Sequence, residues 1–253
     1  MGLALMAQNR SSAVMQQRAE APDSLDDFPT PPWATRALCE FLIRQGEPTH
    51  LLEAWEPACN RGHMAVPLTE YFDIVVASDV HDYGFHGQSM TADFLVDWSM
   101  DQPDADWIIT NPPFRLGADF VRRGLTLARR GVAMFVRSAF VEGADRYSTL
   151  FRDCPETFVL PFVERVVIWK GVLLDPDVPV WHPATDKSPA QLKKPASATA
   201  YSWLIWRKGA TGATEQHRIP PCRRALTRPG DYPPVPAHLL KPEEPGLLEG
   251  IAS

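Results

Sequence analysis

Asp106-Trp107-Ile108-Ile109-Thr110-Asn111-Pro112-Pro113-Phe114 passes from an apolar, strand-like run straight into a polar amide, two prolines and an aromatic ring. Consecutive prolines remove two backbone donors and fix two φ angles, so the carbonyls around them stay rigid and free to accept hydrogen bonds. Asn-Pro also starts ordinary turns. The stretch therefore reads in two ways. It is a strand followed by a turn, or it is a grip for a planar, amino-bearing molecule at the end of a strand.

On either side of it, strand-like and helix-like segments alternate. Residues 33–44 form a predicted helix with Ala34, Ala37, Leu38, Phe41 and Leu42 on one side. Further helices are expected at 62–72, 116–130 and 143–151. Strands are expected at 51–55, 73–78, 107–110, 131–136, 157–162, 166–169 and 200–206. Trp169, Trp203 and Trp206 lie in apolar strand patterns and are assigned to core or sheet. Such alternation implies an α/β fold with a parallel sheet covered by helices on both faces. Ligands of these sheets bind at the carboxyl ends of the strands.

The rest of the chain bounds the answer. Its 253 residues suffice for one main domain, and 45% hydrophobic with 22% charged residues is the composition of a soluble globular protein. A net charge of −6 and a pI near 5.6 exclude a strongly basic coat, so nucleic-acid binding would need a local basic patch. Residues 1–27 lack the basic start and apolar core of a signal peptide and read as a mobile arm. No run approaches the roughly 18–20 apolar residues of a membrane span. Cys39, Cys59, Cys154 and Cys222 form no Cys-x-x-Cys pair, and His81 and His86 lack ligand spacing. No metal site or disulfide framework is expected, and free thiols suit a cytoplasmic protein. Residues 28–210 are assigned to the main domain. Residues 211–253 are proline-rich and suit an extended tail, either lying on that domain or disordered.

Three more features fall at expected strand ends. Glu56-Pro57-Ala58-Cys59-Asn60-Arg61-Gly62 is a small-residue turn before a helix, where backbone approaches a ligand closely and the helix start favours negative charge. It lacks the glycine patterns of dinucleotide and nucleoside triphosphate sites. Asp79 follows a buried strand, where a carboxylate can accept both hydroxyls of a ribose, or cap a turn. Asp93-Phe94 pairs an acceptor for an exocyclic amine with an aromatic wall.

In this order the motifs resemble those of the class I S-adenosylmethionine-dependent methyltransferases. Asn111-Pro112-Pro113-Phe114 resembles the (Asp/Asn/Ser)-Pro-Pro-(Tyr/Phe/Trp) signature of the amino-methyltransferases. Phe28-Pro-Thr-Pro-Pro-Trp33-Ala-Thr-Arg-Ala-Leu38 is similar to the segment before the first strand in adenine-specific DNA methyltransferases of the phage and prophage type. The resemblance covers residues 28 to 207. It implies a Rossmann-like fold with a mostly parallel seven-stranded sheet, helices on both faces and an antiparallel last strand. It also implies S-adenosylmethionine as cofactor, held by Thr30, Pro31, Trp33, Glu56, Pro57, Ala58, Gly62, Asp79, Val80, Asp93, Phe94 and Asn111. Asn60 stands where the family usually has glycine, a place that must tolerate a turn conformation. Phe114 replaces the commoner tyrosine and occurs also in RNA guanine-N2 methyltransferases.

The reaction implied is methyl transfer to the N6 amine of adenine in DNA, with Asn111, Pro112, Pro113 and Phe114 as the catalytic set. Acceptors at Asn111 and Pro112 would polarise the amine, and Phe114 would stack on a base removed from its helix. An insert at residues 170–198 would contact the target. Arg115, Trp181, His182 and Lys187 are the candidate nucleic-acid contacts, whereas Arg122, Arg123, Arg129 and Arg130 suit a solvated helix face. Other readings present the same NH₂ to the same acceptors: an RNA base amine or a protein glutamine amide. A non-catalytic cofactor- or nucleic-acid-binding subunit is a further alternative.

Overall fold

The computed structural model describes residues 26–97, 102–186 and 188–242. Residues 1–25 of the expected arm, Lys187 and residues 243–253 of the tail lie outside the described residues.

A single sheet of eight strands organises the chain. Its strands are β1 (Glu53–Glu56), β2 (Ile74–Asp79), β3 (Met90–Thr91), β4 (Trp107–Thr110), β5 (Gly131–Arg137), β6 (Phe158–Pro161), β9 (Tyr201–Arg207) and β10 (Glu215–Gln216). They run β10-β6-β9-β5-β4-β1-β2-β3 across the sheet. Every neighbouring pair is parallel except those made by β9, which lies antiparallel between β5 and β6. Six of the seven expected strands are present, with β9 antiparallel as expected, and two short edge strands, β3 and β10, complete the sheet; β10 comes from the proline-rich stretch. From β1 the chain fills one side of the sheet with β2 and β3, then returns to the other side with β4. The reversal leaves a crevice above the carboxyl ends of β1 and β4.

Burial explains why these segments became central strands. Along β5, Ala133 and Phe135 enter one core while Val132, Met134 and Val136 enter the other. In β4, Trp107 and Ile109 face opposite to Ile108, and in β9 Trp203 and Ile205 face opposite to Leu204 and Trp206. A strand buried on both faces reads as a continuous apolar run, with alternate residues serving different layers. The first layer is covered by α1 (Pro32–Arg44) and α2 (Ala65–Leu68), the second by α3 (Gly117–Leu127). Two buried indoles of β9 have their donors satisfied: Trp203 Nε1 donates to the Ala34 carbonyl at 2.9 Å and Trp206 Nε1 to that of Cys154 at 3.0 Å. At Gly131 a Cβ would lie 2.6 Å from the Trp206 carbonyl oxygen and 2.7 Å from the Trp107 ring, so only glycine lets β5 start there.

Some expectations need correction. The helix expected at 62–72 shrinks to Ala65–Leu68. That expected at 116–130 ends at Leu127, where Ala128 turns extended. The segment 143–151 is one turn of helix, α4 (Ala144–Arg146), running into a π-type turn at Tyr147–Phe151. The first strand begins at Glu53, because Leu51 lies in a 3₁₀ turn and is exposed. Residues 166–169 form no strand. Val166, Val167 and Ile168 are buried, but Trp169 makes only an isolated bridge to Val172. Burial there comes from packing rather than from ladder pairing. The insert carries instead a short antiparallel hairpin, β7 (Val180–His182) with β8 (Gln191–Lys193).

The described part of the proline-rich stretch lies along the domain. A short helix, α5 (Arg223–Leu226), packs on α1. Buried Arg36 of α1 grips it, pairing with Glu70 at 2.7 Å and Asp231 at 2.6 Å and donating to the Leu226 carbonyl at 2.8 Å. Among the described residues, no helix is long and apolar enough to cross a membrane.

Candidate active site

The crevice at the sheet reversal is lined from four sides. The β1 loop supplies Glu56, Pro57, Ala58, Cys59, Asn60 and His63; the ends of β2 and β3 supply Asp79, Val80, Tyr83, Asp93 and Phe94. Asn111 and Pro113 come from the end of β4, and Asp26, Phe28, Pro29 and Thr30 from the segment before α1.

The β1 loop is held in a left-handed turn. Asn60 has φ of 49° and Gly62 of 80°. Asparagine tolerates that conformation better than most residues, which accounts for Asn60 where a glycine was expected. Gly62 is required twice over, since a Cβ there would lie 2.4 Å from the Phe85 ring. Asp79 fastens the loop from the neighbouring strand. Its Oδ2 accepts from the Asn60 amide at 2.9 Å and its Oδ1 from the His81 amide at 3.0 Å. Each carboxylate oxygen has capacity for a further donor.

Glu56 is 2% exposed, and its Oε2 has no hydrogen-bond partner among the described residues. Burial, with Asp79 adding like charge, pushes its carboxyl well above the usual carboxylate range. Two carboxylates thus converge on one crevice wall, one of them with an unsatisfied oxygen. His63 is driven the other way, down to about 4, by burial and the nearby Arg61 charge, so its imidazole is neutral near pH 7.

Asp93 accepts from the Leu95 amide at 2.9 Å, which closes a local turn. Phe94 is 2% exposed and packs against Trp55 and Phe120, with ring centroids 5.2 and 4.9 Å away. It is as much a core residue as a crevice wall.

The segment 26–30 straps the two halves together. Asp27 holds the β1 loop, accepting from Asn60 Nδ2 at 2.8 Å and from both terminal nitrogens of Arg61 at 2.9 Å. Its carbonyl accepts from the Gly171 amide of the insert at 2.7 Å. Asp26 Oδ2 accepts from the Phe114 amide at 2.8 Å. Asn111 Nδ2 donates to the Phe28 carbonyl at 2.9 Å and to Thr30 Oγ1 at 3.1 Å. A carbonyl only accepts, so the amide nitrogen must be the atom facing Phe28. Asn111 Oδ1 makes no hydrogen bond among the described residues and remains able to accept one. The Phe114 ring lies 5.0 Å from that of Phe28, and the Arg137 guanidinium carbon sits 3.9 Å from its centroid.

The expected site residues do not all meet. Pro31 caps α1 and is buried. Trp33 is 1% exposed and packs edge-on against Phe162, inside the core rather than on the crevice. An indole at the start of a helix that covers the sheet is drawn into the apolar layer. Pro112 is buried under the turn, and Gly62 backs onto Phe85. Arg115 is exposed beside Phe114. Trp181 and His182 lie on the β7 hairpin, with His182 edge-on to Trp169 at 5.7 Å. Of the helix arginines, Arg122 pairs with Asp119, Arg123 with Asp97, Arg129 with Glu53 and Asp106, and Arg130 with buried Glu47.

Asp26, Asp27, His63 and Tyr83 were not among the expected site residues, and Phe28 was named only as the start of the segment before the first strand. The available signal was the acid pair Asp26-Asp27 placed immediately before Phe28-Pro-Thr-Pro-Pro.

Comparison with solved structures finds the same architecture. A protein of Listeria monocytogenes assigned to the class I S-adenosylmethionine-dependent methyltransferases superposes with a TM-score of 0.52 at 12% identity, covering 82% of this chain and 70% of that one. This chain has the class I methyltransferase fold. A type I restriction-modification methyltransferase subunit of Streptococcus thermophilus is similar at a TM-score of 0.49 and 11% identity, over 75% of this chain and 46% of that one. A Pyrococcus horikoshii protein described as an RNA methyltransferase gives 0.49 and 13%, over 78% and 96%. No family model matches the sequence, and no curated protein does.

Proposed function

We propose that the protein is an S-adenosylmethionine-dependent methyltransferase that transfers a methyl group to the N6 amine of adenine in DNA. The observation that carries the reading is the fixed orientation of Asn111, whose nitrogen is consumed by Phe28 and Thr30 so that its oxygen remains to accept.

The crevice suits the cofactor. Asp79, held by two amides with acceptor capacity to spare, would take ribose hydroxyls. The unsatisfied Glu56 Oε2 offers an acceptor to a cationic amine, and an approaching positive charge would favour its ionised form. Asp93 and Phe94 would border the purine, and Thr30 the methionine end. When bound, S-adenosylmethionine supplies a methyl group that is already electrophilic.

The chain's own work is on the nucleophile. The lone pair of an adenine amine is delocalised into the ring. Asn111 Oδ1 and the Pro112 carbonyl would accept hydrogen bonds from its two N–H groups, favour a tetrahedral nitrogen and stabilise the positive charge that grows there until one of these protons passes to solvent. Acceptors fixed beforehand by the strap and by two prolines cost no reorganisation at that moment. Phe114 would stack on the base, and a fixed approach supplies further acceleration. Arg115, at the exposed edge of the motif, would contact a phosphate, with Trp181, His182 and Lys187 of the insert as further contacts. Residues 28–210 would be the catalytic domain.

The test is transfer of labelled methyl to unmethylated DNA, RNA and protein, followed by nucleoside analysis. The reading expects label in N6-methyladenine of DNA. Label confined to RNA or protein would sink the DNA assignment, and no label with no cofactor binding would favour a non-catalytic subunit.

A further inference from the structure

Two groups press on the Phe114 ring, and they differ in kind. Phe28 is anchored: it packs on the core, and its carbonyl is bound by Asn111. Arg137 reaches the ring from the end of β5, through a long side chain. Its guanidinium carbon is 3.9 Å from the ring centroid, which is van der Waals stacking distance and well inside the range of a cation–π contact. Its β9 neighbour in register is Tyr201, whose hydroxyl it hydrogen-bonds. A planar guanidinium at that height covers the ring face much as an aromatic base would. No base can lie on that face while Arg137 is there, and clearing it would cost the side chain its contact with the Tyr201 hydroxyl.

We propose that Arg137 is a specificity-determining cover of the target slot, a guanidinium that occupies the stacking face of Phe114 until an aromatic base displaces it. The inference rests on Phe114 being the stacking wall of the proposed methyl-transfer site. Arg137 competes with every incoming base. A base tethered to extra contacts elsewhere, as in a polynucleotide, overcomes the competition; a free base or nucleoside does so poorly. The cover therefore selects for polymeric substrates without touching the amine. Once displaced, the side chain has five donors to offer, and exposed Arg115 beside the motif marks the same rim as basic.

Binding of the 2-aminopurine deoxynucleoside, followed by quenching of its fluorescence, isolates the slot because the probe carries no phosphate. In Arg137→Ala the nucleoside should bind about two- to fivefold more tightly than in the wild type, the factor a partly exposed cation–π contact is worth. Arg137→Lys, whose compact ammonium covers less of the ring, should fall between. Phe114→Leu should abolish the quenching. Affinity for S-adenosylmethionine and the thermal midpoint serve as controls for folding. Unchanged or weaker nucleoside binding in both folded Arg137 variants overturns the cover. A wild type that transfers no methyl to DNA sinks the proposed reaction, but tighter nucleoside binding in the variants would still uphold the cover.

Discussion

The Asn111 side chain and the Phe28 backbone share a hydrogen bond of 2.9 Å, and its direction sets the polarity of the target half of the crevice. With Nδ2 turned to Phe28 and Thr30, Oδ1 is the atom offered to a substrate amine. Asn111→Ala removes that acceptor while Asp79, Glu56 and the β1 loop stay in place. Methyl transfer should fall by about 10²–10³-fold, the usual loss for one preorganised electrostatic partner. S-adenosylmethionine affinity, measured by calorimetry, should change little. Equal loss of binding and transfer would instead assign Asn111 to the cofactor.

Asp79 holds the Asn60 and His81 amides, so its removal is felt in the loop as well as at the ligand. Hydrogen bonds to a charged acceptor are worth about 1.5–3 kcal/mol, or roughly 10- to 150-fold in affinity. Asp79→Ala should weaken S-adenosylmethionine binding by about that factor, with a smaller effect on the rate at saturating cofactor. Titration calorimetry supplies the first quantity and a saturation curve the second. Unchanged affinity would remove Asp79 from the cofactor site.

What was legible in the sequence depended on whether local pattern and tertiary role coincided. The runs that became β4, β5 and β9 are largely apolar because both faces are buried, and the polar Asn111 that follows β4 is conspicuous for that reason, as is Asp79 at the end of β2. Val166, Val167 and Ile168 look the same and are equally buried, yet among the described residues no partner strand lies beside them. Pattern reports burial, and pairing depends on what the rest of the chain places alongside. The strap was illegible for the opposite reason. Asp26 and Asp27 carry no periodicity, and their partners, Phe114, Asn60 and Arg61, are far along the chain. Trp33 looked like a crevice residue by its neighbourhood in sequence, but the helix it begins turns it into the core.

The Arg36 grip predicts a stability effect. Its side chain is 3% exposed and that of Asp231 is 7%, so their pairing is shielded from solvent, unlike the surface pairs of α3. Arg36→Met leaves Asp231 and Glu70 without their shared cation and frees the Leu226 carbonyl. Breaking a buried pair from one side costs about 3–5 kcal/mol. Urea unfolding should show a loss of that order, and limited proteolysis should cut faster within residues 223–232. A loss below about 1 kcal/mol, the value of a solvent-exposed pair, would contradict the buried role.

Glu56 predicts a pH effect with a definite sign. Burial beside Asp79 raises its carboxyl well above the ordinary 4.5, so the folded protein binds this proton more tightly than the unfolded chain does. The stability contributed by the proton is complete below 4.5 and is lost as pH rises through the folded value. At neutral pH the ligand-free protein therefore carries a strained carboxyl. Glu56→Gln removes the titration, and its thermal midpoint should exceed that of the wild type by a margin that grows as pH rises from about 5 to 8. His63, held down to about 4 from an ordinary 6.5, acts in the opposite sense on acidification, but it is common to both proteins and cancels in the difference. The same substitution should weaken S-adenosylmethionine binding, since the acceptor that burdens the fold is the one offered to the ligand. Midpoints that run parallel across this pH range would show that Glu56 does not titrate between the folded and unfolded states.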